Sequence, residues 1–106
     1  MITIDDVKKV EVRIGKVVSA SKVENSDKLI KLEVDFGTEK RSILTAMANY
    51  FEPEHFVGKE MPFFTNLEPR KMRGLVSEGM IMAADVDGKP VLLHPEKNVP
   101  PGSSVI

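Results

Sequence analysis

The stretch LIKLEVDFG at residues 29–37 alternates apolar and charged side chains without interruption from Ile30 to Phe36. Ile30, Leu32, Val34 and Phe36 share one side, and Lys31, Glu33 and Asp35 share the other. A two-residue period is the period of a β-strand, so the segment predicts a half-buried strand with a charged, wet face. ENSD before it and GTEK after it supply the turns.

Upstream, KVEVRIGKVVSASKV reads as a strand in the same way, with Val10, Val12 and Ile14 on one side and Glu11 and Arg13 on the other. Gly15 is expected to bulge or bend it and to change which later residues face inward. Thr3 can cap a short opening turn of helix whose positive end Asp5 or Asp6 favours. RSILT gives a third short strand, and together these elements suggest an antiparallel sheet.

The period breaks at AMANYFEPEHFVG, where the alanines and Met47 permit a helical turn, Pro53 can start a second and Gly58 can stop it. Phe51, Phe56 and Val57 are then core contacts. EMPFFT returns weakly to a strand, with Pro62 arguing for an edge, an end or a bulge. GMIMAA at residues 79–84 is a further strand, DVDG a turn, and KPVLL a short strand before a proline-rich end. The architecture predicted is all-β: a five-stranded barrel with a short helix between strands three and four, and a C-terminal extension. Residues 85–106 are expected to cover an open barrel edge or to join a second copy. A chain of 106 residues points to one domain, 1–106, able to bury roughly 65% of its unfolded surface.

Fifteen Lys or Arg residues face 16 Asp or Glu residues for a formal charge of −1, so any polyanion-binding face must arise by segregation of charge. With no cysteine there is neither a disulfide framework nor a cysteine-based metal or catalytic site, which is compatible with the cytoplasmic location expected here. MITIDDVKKVEV lacks the basic-then-apolar pattern of a secretory signal, and no run approaches the roughly 20 apolar residues of a transmembrane helix. His55 and His94 are isolated, Ser19, Ser26 and Ser77 have no base-orienting partners, and GLVSEG lacks the Lys-Ser or Lys-Thr ending of a phosphate loop. No catalytic residue, metal or cofactor is expected.

One segment stands apart, NLEPRKMRGLVSEGM at residues 66–80. It sets Arg70, Lys71 and Arg73 after the rigid Pro69, with Gly74 and Gly79 allowing tight turns. These cations can contact successive phosphates, and Asn66 and Ser77 can hydrogen-bond sugar, phosphate or exposed base edges. On charge and spacing alone it is either a solvated turn or a polyanion-binding surface. Lys28, Lys31, Lys40 and Arg41 either enlarge that face or serve solubility. Tyr50, Phe51, Phe63 and Phe64 either stack on bases or pack in the core.

Nearly the whole chain, through VEVRIGKVVSASKVENSDKLIKLEVDFG, KRSIL, YFEPEHFVGK, NLEPRKMRGLVSEGMIMAA and LLHPEKNVPPGSSV, resembles the tRNA-binding domain family. That family is found at the C-terminus of many methionyl-tRNA synthetases and as free tRNA-binding proteins. The resemblance implies an oligonucleotide-binding fold, homodimerisation, and non-catalytic binding of tRNA, in cis or trans, for a catalytic methionyl-tRNA synthetase chain or domain. Contacts would be mainly to shape and phosphate, raising the local tRNA concentration. NLEPRKMRG matches the family's Asn-Leu-x-Pro loop and gives Asn66, Arg70, Lys71 and Arg73 the strongest RNA-contact expectation. SEGM adds Ser77 and brings in Met80 as a support for the loop or dimer. NSDKL makes Asn25, Ser26, Asp27 and Lys28 candidates for a second loop, with Lys31, Lys40 and Arg41 as further contacts. Glu24 stands where many relatives have a His-Pro lead-in, and TAMANY where many have a Ser-Gly start, so Thr45 and Ala46 carry no contact expectation. A related secretion-chaperone branch has a similar barrel and dimer, which makes peptide binding the alternative.

Overall fold

In the computed structural model, which describes residues 1–106, the alternating segment forms a strand, Ile30–Asp35. Its apolar side is buried and its charged side half-buried at every position. The strands in chain order are β1 (Val12–Lys22), β2 (Ile30–Asp35), β3 (Lys40–Thr45), β4 (Glu60–Phe64), β5 (Arg70–Met72), β6 (Leu75–Ser77), β7 (Met80–Ile81), β8 (Ala83–Val86) and β9 (Lys89–Leu92). Five of them form one antiparallel sheet in the order β3-β2-β1-β4-β7. The five-stranded, nearly all-β architecture is the one the sequence predicts.

The sheet curls because β1 is long enough to serve two neighbours at different heights. Its first half, Val12 to Lys16, pairs with β4, and its second, Lys16 to Lys22, pairs with β2. The register shift lies between Val17 and Ser19 and not at Gly15. Gly15 has a different role: a Cβ there would sit 2.3 Å from Val34 Cγ1 and 2.7 Å from the Phe36 ring, so the glycine lets β2 lie close across the strand. The Glu78 amide donates to the Ser42 carbonyl at 2.8 Å, drawing the far edge of the sheet toward β3 and making a half-barrel.

Inside it, Val17, Ile30, Leu32, Val34, Ile43, Phe56, Met61 and Phe63 are essentially shut from solvent. Phe36 meets Phe63 edge-on with centroids 5.7 Å apart. Each such side chain contributes roughly 1.5–3 kcal/mol by burial. Phe51 is half-buried against this cluster. Val57 is exposed, because the chain turns away at Gly58 (φ +82°) and carries it outward.

Pro62 lies within β4, between β1 and β7, rather than on an edge. Its carbonyl accepts from the Met82 amide at 3.0 Å, but proline has no N–H to return the bond. The ladder with β7 therefore stops after Phe63↔Ile81, and the apolar run at residues 79–84 becomes two strands in two sheets.

The helical segments are short. α1 (Ile4–Lys8) is closed by a capping box in which Thr3 Oγ1 accepts from the Asp6 amide at 3.2 Å and Asp6 Oδ2 from the Thr3 amide at 3.0 Å. It buries none of its residues. Between β3 and β4 lie a turn at residues 47–51 and one 3-10 turn, Pro53–His55.

The C-terminal extension begins as the hairpin β8–β9, which turns at Asp87 and Gly88. The carboxylate of buried Glu60 then accepts from the Val99 amide at 2.8 Å, and His94 Nδ1 donates to the Glu60 carbonyl at 2.9 Å. Residues 102–105 finish beside β1, with Ile14 donating to Ser103 at 2.8 Å, Gly102 to Ile14 at 2.7 Å and Val105 to Val12 at 2.9 Å. No helix is long and apolar enough to cross a membrane.

Candidate nucleic-acid interface

The basic segment is an ordered hairpin rather than a loop. β5 and β6 pair as Arg70↔Ser77, Lys71↔Val76 and Met72↔Leu75. Arg73 (φ +53°) and Gly74 (φ +79°) make a two-residue turn in which both residues are left-handed, matching the twist of the flanking strands. Glycine accepts that conformation freely, whereas an arginine there costs roughly 1–2 kcal/mol.

Strand alternation gives the hairpin two faces. Met72 and Leu75 pack down on a small cluster of Val23, Leu29 and Leu44. Ser77 is buried beside them; its hydroxyl accepts from the Leu44 amide at 2.9 Å and donates to the Gly79 carbonyl at 3.0 Å. Lys71 and Val76, on the other face, are exposed, as is Arg73 at the tip. Arg70 is exposed, with only a 3.8 Å contact from Nη2 to Met72 Sδ.

The hairpin stands on a fixed base. Asn66 Oδ1 accepts from the Glu11 amide at 2.8 Å and its Nδ2 donates to the Lys9 carbonyl at 2.7 Å. Thr65 donates its amide to the Glu11 carbonyl at 3.0 Å and its hydroxyl to Glu11 Oε1 at 2.8 Å. That hydroxyl, followed by the Arg13 and Arg41 charges, holds the Glu11 carboxyl below its ordinary value of 4.5. Arg41 joins β3 to the same base: its guanidinium pairs with Glu39 at 2.8 Å, donates to the Glu78 carbonyl at 3.2 Å and also donates to the Thr65 carbonyl.

The second predicted loop, between β1 and β2, converges on the hairpin tip. Asn25 takes a left-handed conformation (φ +61°), and Ser26 Oγ accepts from the amides of Lys28 and Leu29 at 3.3 and 3.1 Å. Lys22, Val23, Glu24, Asn25, Lys31, Arg73 and Leu75 together line a recess of about 310 Å³. Lys31 is within 3.7 Å of Glu33, and Lys22 within 3.6 Å of Glu52. Such exposed pairs are weak and readily exchanged for phosphate.

Arg70, Lys71 and Arg73 are thus presented on one hairpin, and Asn25 and Lys31 meet Arg73. Lys28 is exposed on the neighbouring turn. Lys40 sits at the far end of the β2–β3 ladder, opposite Asp35, whereas Lys31 is opposite Leu44. Four residues along the strand separate those levels, roughly 13 Å. Asn66, Ser77, Ser26 and Arg41 have their polar groups engaged within the fold. Lys22 was missed in the sequence because its relation to Arg73 is purely tertiary; its one visible signal was position, next to the turn before β2. No group of three or more His, Cys, Asp or Glu side chains comes together in a way that could hold a metal ion.

Comparison with known proteins gives a consistent result. A family model described as "Putative tRNA binding domain" matches residues 12–104. A methionine–tRNA ligase of Parabacteroides distasonis is 47% identical over 105 residues, covering 98% of this chain and 16% of the ligase. The crystal structure of a MetRS-related protein from Pyrococcus horikoshii superposes with a TM-score of 0.96 at 38% identity, over 100% of this chain and 98% of that one. The chaperone CsaA from Bacillus anthracis superposes with a TM-score of 0.90 at 27% identity, over 100% and 99% of the two chains.

Proposed function

Because the chain belongs to the tRNA-binding domain family, whose matching domain in methionine–tRNA ligases is non-catalytic by itself, we propose that its basic hairpin binds tRNA and supplies it to a methionyl-tRNA synthetase partner. The observation that carries this reading is the set of Arg70, Lys71 and Arg73 on one hairpin, none of them in an ion pair, beside Lys22 and Lys31. In a chain of net charge −1, that segregation is what an electrostatic RNA face requires.

The hairpin and the β1–β2 loop contact phosphates and recognise the shape of a folded RNA, with few groups for reading bases. Asn66, Ser77, Ser26 and Arg41 hold these elements in place, while Lys28 and Asn25 add contacts at the edge and Lys40 stands apart. The domain works in the cytoplasm by tethering, which raises the tRNA concentration near the catalytic partner. Titrating the purified chain with tRNA at rising salt tests this: affinity falls linearly on a log–log plot. Binding that is absent, or indifferent to salt, contradicts it.

A second copy completes the particle. α1 leaves Ile4 and Val7 exposed, Val10 follows them, and the extension exposes Val86, Val91 and Leu93. An isolated five-residue helix does not hold itself, and these exposed apolar residues support a contact with a second copy. Two sites on one dimer give avidity when both engage.

The alternative is a peptide-binding module, favoured by the likeness to CsaA and by Leu67, Val76 and Met80 exposed near the hairpin. Tighter binding of unfolded peptides than of tRNA at equal ionic strength would support it.

A further inference from the structure

A second recess, of about 470 Å³, is bordered by Arg70 and Met72 of the hairpin's first strand, whereas Arg73 and Leu75 border the cationic one. Leu29, Leu44, Met72, Met80 and Ile81 are among the side chains forming its apolar lining, and Thr45, Ala46 and Met47 also border it. Tyr50 is the one aromatic in the lining, and it is 48% exposed. Its hydroxyl lies 3.5 Å from the Gly88 carbonyl oxygen, which relates the ring to the β8–β9 turn. Arg70 from the hairpin and Lys89 from β9 are both exposed at this recess, and neither is in an ion pair. Asp85 is also present, with Oδ1 accepting from the Gly88 amide at 2.7 Å.

We propose that this recess receives one unpaired nucleotide of a folded RNA, its base against Tyr50 and the methionines and its phosphates on Arg70 and Lys89. The proposal rests on the RNA-binding reading above and extends it from phosphate contacts to a place for a base. A volume of this size accommodates a nucleotide, and its mixture of apolar lining and few polar groups is that of a small-ligand site. A base within a duplex has both faces stacked and cannot enter; an unstacked one offers a π-face to an aromatic side chain. The Asp85 carboxylate, exposed at the start of the β8–β9 turn, can accept from a base N–H. A neutral apolar peptide side chain would leave both cations without a counter-charge.

The test compares two synthetic RNAs of equal phosphate count, a stem closed by an unpaired loop and a blunt duplex, with tRNA as reference binder. Affinities are measured by fluorescence anisotropy for the full chain and for Tyr50→Ala and Tyr50→Phe. The expected result is that Tyr50→Ala binds the looped RNA and tRNA about 10-fold more weakly but leaves the duplex unchanged. Its salt slope is unaltered, since no phosphate contact is removed, and Tyr50→Phe retains the affinity of the parent. Equal binding of loop and duplex by the parent, or no selective loss in Tyr50→Ala, overturns the nucleotide pocket while leaving salt-dependent tRNA binding intact. Failure of the parent to bind any RNA overturns both readings. Tyr50-dependent capture of an unfolded peptide that displaces the looped RNA assigns the recess to peptides and overturns the proposal.

Discussion

The Ser77 hydroxyl accepts a hydrogen bond from the backbone amide of Leu44 at 2.9 Å, fastening the basic hairpin to β3. Both partners are buried, so Ser77→Ala leaves an N–H without an acceptor away from water. That loss costs about 1–3 kcal/mol. Thermal unfolding of the variant is expected at least about 4 °C below the parent, given the slope for a domain of this size.

Arg73 occupies a left-handed turn position that favours glycine or asparagine. Arg73→Asn is expected to stabilise the fold by up to about 1 kcal/mol while weakening tRNA binding. Urea midpoints and tRNA titrations on the same preparation check the two opposite signs. A variant that loses stability shows that the arginine makes a contact outweighing its strain.

Glu11 carries the acid sensitivity of the hairpin base. Its folded pKa lies below the ordinary value of 4.5, chiefly through the Thr65 hydroxyl. A depressed carboxylate pKa gives stability that is present above the unfolded value and lost as pH falls through the folded one. Thr65→Val removes the main cause. The stability gap between parent and variant is therefore expected to hold at neutral pH and to shrink below pH 4.5, as read from urea midpoints across pH.

Much of the fold was legible because its causes are local. The alternation from Ile30 to Phe36 needs no partner to declare a strand, and Thr3 with Asp6 spells out a cap within four residues. The hairpin was not legible: three-residue strands made of charged and apolar side chains carry no period, and its Arg-Gly turn lacks the usual Asn-Gly or Asp-Gly signal. The split of the run at residues 79–84 is caused by Pro62 on the neighbouring strand. The hydrogen bonds that Asn66 and Ser77 make within the fold were not legible, because their partners at Lys9, Glu11 and Leu44 lie between 33 and 57 residues away. Lys22 and Lys89 became neighbours of the site only once the chain had folded.

Exposed Val7 and Val91 are expected at contacts between two copies. Light scattering should give twice the 11.8 kDa chain mass, and Val91→Glu or Val7→Glu should shift the population toward monomer. A parent that stays monomeric at all concentrations removes the interface from the account.

The hairpin cations are expected to meet tRNA phosphates, and the most direct measurement of this is the salt dependence of tRNA affinity for the parent and for the Arg70→Ala, Lys71→Ala double variant. Both side chains are exposed, so the variant should keep the parent's unfolding midpoint. Its affinity should fall by about 10-fold or more for several tRNAs, and its log–log salt slope should flatten by about 2. Unchanged affinity with an unchanged slope in a folded double variant contradicts the account.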